Sequence, residues 1–199
     1  MLGSASTDLR SGFGGWNGRA IRTGDCLQAH GPAPETACFD AAGAWVDPRP
    51  DLDFDAAAVA HLLPGRDALA TPDPWRRPFR VAATSNRQGL RLQGLALTAA
   101  DAGERLSAPV LEGTVQLPPD GQPIILLADA QTIGGYPCIG HVARADLPRL
   151  AQLRPGDELR FAPIDAAGAE ALACRQRQSL ARIGLAVEQA RRMALRNRP

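Results

Sequence analysis

The sequence predicts a mainly β domain, a compact barrel or sandwich, that ends in one long helix. Three observations carry this expectation. From Arg80 onward, short apolar runs recur between Gly, Pro or Asp residues, the pattern of brief strands joined by tight turns. The 20 glycines and 17 prolines exceed the roughly 12 per cent share of an average chain and demand many turns. Near the C-terminus apolar residues instead recur at helical spacing.

Along the chain, IRTGDCL at 21–27 and LRPGDEL at 153–159 echo one another. Each reads as an apolar residue, Arg, a tight turn ending in Gly-Asp, and the start of a strand. The echo predicts two related domains that end alike, with the end of the first occupying residues 1–30. Between His30 and Arg77 the chain is rich in Pro, Ala and Asp (GPAPE, DPRPDLD, TPDPWRRP). Proline at that density opposes helix and central strand, so residues 31–77 are expected to be a connector with at most one or two short elements.

A complete domain is then expected over 78–199. Its strands are PFRVAA, GLRLQG, GTVQL, PIILLAD, IGHVARA and DELRFAPI. PPDGQP, 118–123, reads as a hairpin loop with Gly121 at positive φ. DLPRLAQL, 146–153, reads as a short helix capped by Asp146. The closing helix runs from about Ala166 to Leu195, with Leu172, Leu180, Ile183, Val187 and Ala190 on one face that packs against the barrel. A partner-binding helix is the alternative.

Composition excludes several chemistries. The chain has 199 residues, 22 basic and 21 acidic, for a net charge of +1, so no overall basic field favours nucleic acid or an anionic membrane. All the basic residues are arginine. Without lysine there is no Schiff base, no pyridoxal-phosphate anchor, no P-loop lysine and no biotinylation site. Gly12-Phe13-Gly14-Gly15 fails the dinucleotide pattern, because its third glycine falls on Asn17. Cys26, Cys38, Cys138 and Cys174 form no CxxC pair, and His30, His61 and His141 lie far apart, so no metal site is expected. The longest apolar stretch, 123–130, is too short to span a bilayer. With no signal-peptide pattern at the start, a cytoplasmic protein with reduced thiols is the expectation.

The run TSNRQGLRLQG (84–94), with GTVQLPPDGQPIILLADAQTIGGYPCIG (113–140) and DLPRLAQLRPGDELRF (146–161), resembles the family of the 5-oxoprolinase C subunit. That family is also called the biotin-dependent carboxyltransferase or allophanate hydrolase subunit 2 family. GSASTDLRSGFGGWNGRAIRTGDCL (3–27) is similar to the middle of its usual chain. The resemblance implies a cyclophilin-like β-barrel with a C-terminal helix, preceded by the tail end of a second similar barrel. It implies a part of the C subunit that acts with A and B subunits in ATP-dependent opening of 5-oxoproline to glutamate. ATP would be used by the complex, not by this segment, which by itself is expected to be inactive. Alternatives within the resemblance are the carboxyltransferase domain of a biotin-dependent urea carboxylase or allophanate system, and a regulatory antagonist of a kinase inhibitor.

Site residues are expected around these motifs. Arg87 offers a guanidinium fork to a substrate carboxylate and Asn86 an amide donor, from a turn between two strands; alternatively Arg87 ties loops together. Asp129, with Gln131 and Thr132, emerges from the end of a buried strand, giving a proton-transfer carboxylate and two orienting groups; alternatively Asp129 and Thr132 cap the following turn. Gly134, Gly135 and Tyr136 form a turn whose N–H groups suit an oxyanion; alternatively the glycines supply positive φ and Tyr136 fills the core. His141 alternates with Val142 and either faces the pocket or is structural. Gln88, Leu90, Ala108 and Cys138 depart from the family pattern, Cys138 standing where a basic residue is common.

Overall fold

The computed structural model describes residues 5–9, 11–28, 58–101, 103 and 106–196. His30 and the expected connector up to residue 57 lie outside the described residues. The chain divides into two compact units, Met1–Gly43 and Ala44–Pro199.

In the first unit β1 (Thr7–Asp8) pairs antiparallel with β2 (Phe13–Gly14). Gly18, at φ +67, sits where a Cβ would lie 1.9 Å from the Gly12 carbonyl oxygen, so only glycine fits. Arg19 grips Asp25 with both terminal guanidinium nitrogens, Nη1 and Nη2, at 2.7 and 2.8 Å.

The second unit is a closed barrel. In chain order its strands are β3 (Ala58–Pro64), β4 (Phe79–Val81), β5 (Gly89–Gln93), β7 (Thr114–Gln116), β8 (Ile124–Leu126), β10 (Cys138–Val142) and β11 (Glu158–Pro163). A separate pair, β6 (Ala108–Pro109) with β9 (Ile133–Gly134), lies outside that ring. The ring order is β10-β3-β11-β4-β5-β8-β7. All its pairs are antiparallel except β3 with β11, where Leu159 faces Ala58 and Phe161 faces Ala60. All six strands expected beyond Arg80 form, and Gly121 takes φ +73 in the β7–β8 loop.

The connector expectation fails at β3, since residues 58–64 supply the strand that closes the ring, and the barrel begins there and not at 78. Leu69 and Trp75, also from the expected connector, pack against the core. Inward side chains of β3 are Ala58, Ala60 and Leu62. Small alanines in a proline-rich neighbourhood carry little strand signal, and only tertiary pairing reveals them.

Burial follows the period-2 alternation of the strands. Phe79, Leu92, Val115, Ile125 and Leu159 are almost wholly excluded from solvent. Phe161 meets Trp75 and Phe79 edge-to-face at 5.1 and 5.7 Å. With few aromatics, this trio carries much of the volume at that end of the barrel.

A 3₁₀ turn at Arg144–Asp146 leads into α1 (Leu147–Leu150). Asp146 holds the N-cap position without capping. Its carboxylate instead accepts the His61 backbone N–H at 2.7 Å and lies 3.0 Å from His61 Nδ1, binding α1 to β3. α2 (Ala166–Arg196) starts with Asp165 accepting the Gly168 N–H at 2.8 Å. Gln176 ties it down by donating to the Ala145 carbonyl at 2.9 Å. Packing on the barrel holds only for these first turns. Further along, Leu180 and Val187 of the expected apolar face are exposed while Ile183 and Ala190 are half-buried, and Leu185 and Met193 off that face are exposed too, so the face is only partly covered. Helix-favouring Ala, Leu, Arg and Gln and the Glu188–Arg192 pair support it locally.

The sequence echo is a structural one. At each copy the Asp backbone N–H meets the Arg carbonyl, and the Asp Oδ2 accepts the Arg backbone N–H at 2.7 Å (Arg22–Asp25 and Arg154–Asp157). Gly24 and Gly156 both take φ +94.

Candidate functional site

The turn between β4 and β5 is built by Asn86. Its Oδ1 accepts the N–H groups of Gln88 at 2.9 Å and Gly89 at 3.3 Å, while the Asn86 and Gly89 backbones bond to each other. This is the turn-closing use of Asn, so its side-chain oxygen is committed to the loop. Arg87 projects from the tip. The segment after β8 runs alongside, with Leu127 and Asp129 donating backbone N–H groups to the Gln88 and Arg87 carbonyls.

Arg87 Nε donates to Asp129 Oδ2 at 2.7 Å, and Nη2 reaches the same oxygen. The two residues singled out from separate motifs thus form one ion pair, the arginine largely exposed and the carboxylate about half so. An exposed pair contributes only about 0–1 kcal/mol. An incoming carboxylate can therefore displace Asp129 from the guanidinium at small cost. Gln131 and Thr132 are exposed just beyond, and the Thr132 carbonyl accepts the Val110 N–H.

At Gly134–Pro137 the structural alternative fails. Neither Gly134 nor Gly135 has positive φ, and Tyr136 is 46% exposed and does not plug the core. Gly134 is glycine for a different reason: a Cβ there would lie 2.3 Å from Gln116 Nε2. Gly135 is open, with Ser107 Oγ at ordinary contact distance from such a Cβ.

A second cluster joins residues that sequence reasoning left apart. Cys138 pairs with Gln116 and His141 with Thr114 across the β7–β10 ladder, and the register shifts between Cys138 and Gly140. Residues three apart on a regular strand point to opposite faces. This bulge puts Cys138 and His141 on the same outer face, while Ile139 joins the core and Gly140 backs onto Leu62. Cys138 Sγ lies 3.4 Å from His141 Nε2, and His141 Nδ1 lies 3.3 Å from Thr114 Oγ1. Asp67 accepts the Cys138 backbone N–H at 2.6 Å. Burial pushes the Cys138 thiol pKa up and the His141 pKa down, leaving a neutral thiol beside a neutral imidazole. Gly140 within the strand, two residues after Cys138, was the one sequence signal for the bulge.

An apolar groove of about 810 Å3 is bordered by Leu62, Asp67, Leu69, Trp75 and Ile164. None of the residues expected to bind substrate lines it. Among the described residues no three His, Cys, Asp or Glu side chains cluster as metal ligands, and no helix is long and apolar enough to cross a membrane.

A closed seven-stranded ring, antiparallel but for one parallel pair, with hairpins only at β4–β5 and β7–β8, and followed by a helix, defines a cyclophilin-like β-barrel domain. Its fold is that of the urea amidolyase of K. lactis, at a TM-score of 0.67 and 24% identity over 92% of this chain and 12% of that one. The family described as carboxyltransferase domain, subdomain A and B, matches residues 1–163; the chain belongs to that family. It is 36% identical to the 5-oxoprolinase C subunit of Escherichia coli, over 89% of this chain and 56% of that protein. It is 40% identical to the 5-oxoprolinase C subunit of Haemophilus influenzae, over 82% of this chain and 51% of that protein. The chain thus spans about half the length of these relatives.

Proposed function

We propose that this chain is the C-terminal part of the C subunit of an ATP-dependent 5-oxoprolinase, which opens 5-oxo-L-proline to L-glutamate with A- and B-like subunits. The observation that carries this reading is the 36–40% identity to proteins of that name across most of the chain. In this reading residues 5–28 end a first barrel, and the Arg-x-Gly-Asp turn shared by the two units supports that descent. A cytoplasmic setting, with Cys26, Cys138 and Cys174 as free thiols, goes with it.

Arg87 binds the substrate carboxylate, and Asp129, released from the guanidinium, becomes the base that handles the proton of the lactam or its attacking water. Gln131 and Thr132 orient the amide. Gly134, Gly135 and Tyr136 form the adjoining wall. The donor set does not fit a nucleotide. There is no lysine, and Gly12–Gly15 lies in a strand and turn with no helix behind it among the described residues. ATP use accordingly belongs to the partner subunits, and so does any biotin in a carboxyltransferase system.

The test reconstitutes the full-length protein with its A- and B-like subunits and follows glutamate formation from 5-oxoproline. Turnover that needs ATP and all three components is the expected result. Carboxylation of urea with no glutamate formed would overturn the assignment.

A further inference from the structure

α2 lies beyond residues 1–163, the part of the chain that matches the family. The stripe that carries Gln176, the residue tied to the Ala145 carbonyl, continues outward along the helix as Leu180, Ile183, Val187 and Ala190. Leu180 and Val187 are 60% and 45% exposed. Steps of three and four residues are the a/d spacing of a helix seam. At 3.6 residues per turn the four positions span only about 80°, the width that one further helix covers, whereas a helix lying on a membrane carries a broader apolar face. Charge sharpens the choice of partner. Residues 166–193 hold five arginines against two glutamates, in a chain whose net charge is +1. The rows flanking the seam are Arg177, Gly184 and Arg191 on one side and Ser179, Ala186 and Met193 on the other, so both flanking charges are positive. Glu188 lies outside those rows, held by Arg192 at 2.9 Å. Arg177 reaches only Cys174 Sγ, at 3.5 Å, and neither Arg177 nor Arg191 pairs with a carboxylate among the described residues.

We propose that the outer part of α2 is a docking surface for one acidic amphipathic helix of a protein partner. Apolar residues of that helix pack against Leu180, Ile183, Val187 and Ala190, and its flanking Asp or Glu side chains pair with Arg177 and Arg191. Gly184, between the two arginines, has nothing within 4 Å of where a Cβ would stand, so the partner's backbone can approach closely there. A second copy of this chain fits worse. Laid parallel, it would bring its own barrel onto the stretch of seam around Gln176 that the first barrel already occupies. Laid antiparallel, with Leu180 over Ala190 of the other copy, it sets Arg177 beside Arg191 of the other copy, a like-charge contact at each end.

The test titrates the full chain with two synthetic three-heptad peptides that share one leucine seam, the first flanked by glutamates and the second by lysines, and reads fluorescence anisotropy. The glutamate peptide is expected to bind about tenfold more tightly or better, with added salt narrowing the gap. Val187→Glu abolishes that binding while circular dichroism and the melting curve stay as they were, since the side chain is exposed. Replacing both flanking arginines, Arg177→Glu with Arg191→Glu, turns the preference toward the lysine peptide, a reversal that misfolding cannot produce. Equal binding of the two peptides, binding of neither, or a preference unmoved by the double variant would overturn the proposal. So would uptake of the chain by phosphatidylglycerol vesicles in place of either peptide, or a dimer in sedimentation that Val187→Glu breaks.

Discussion

Gly134→Ala tests why β9 carries glycine. The added Cβ would lie 2.3 Å from Gln116 Nε2 and 3.2 Å from its Cδ, with no backbone atom among its nearest contacts. Gln116 cannot swing outward freely, because it is 2% exposed. Overpacking of this kind costs about 1–3 kcal/mol. Gln116→Ala alone removes volume but also a donor, Nε2, that has no hydrogen-bond partner among the described residues, so its net cost is about 1 kcal/mol. In the double variant the new methyl occupies space vacated by the amide, and the clash disappears. Its destabilisation is expected to fall short of the sum by about 1–2 kcal/mol, a coupling typical of touching residues. Urea denaturation of the four proteins, with unchanged m-values as the two-state check, measures that coupling. If Gly134 served only a strained backbone, the two costs would add. A double variant within about 0.5 kcal/mol of the sum would refute the packing argument.

Arg87→Ala should raise KM for 5-oxoproline in the reconstituted complex by tenfold or more while moving stability by less than about 1 kcal/mol; undiminished kcat/KM removes Arg87 from the site. Gly156→Ala meets no atom within 4 Å, so it isolates the cost of a side chain at φ +94, about 1–2 kcal/mol by thermal melting; Gly24→Ala in the first unit should behave alike. Burial lowers the His141 pKa below its usual 6.5, so between the two values the unfolded chain binds the proton that the folded one refuses. Stability therefore falls as pH drops through 6.5, and His141→Gln flattens that arm of the curve. Burial raises the Cys138 pKa above its usual 9.0, so stability also falls as pH rises through 9, and Cys138→Ser removes that second decline.

Strands that carry branched or aromatic side chains between turn residues, such as 79–81, 124–126 and 158–163, were legible because local pattern and tertiary demand coincide. β3 was not, since its inward positions hold Ala58 and Ala60, whose burial depends on the strands either side of it. Helix α2 was legible from its period, but the partial cover of its far half was not, because periodicity reports a face and not what meets it. Arg87 and Asp129 were each legible as site candidates from their motifs. Their ion pair was not, as it joins segments 42 residues apart. Cys138 and His141 escaped notice together because alternation assigns them to opposite faces, and a bulge is the device that breaks alternation.

The parallel pairing of β3 with β11 has a consequence for how the barrel is made. β3 is the first strand of the ring to leave the ribosome, yet its neighbours in the ring, β10 and β11, are the last two. Contacts between Ala58 and Leu159 close a loop of about a hundred residues, the kind of high contact order that slows folding. Until then the nascent chain carries an unpaired alanine-rich strand, whose proline-rich flanks discourage it from pairing elsewhere. The proline density that hid this strand in the sequence thus acts as its escort during synthesis.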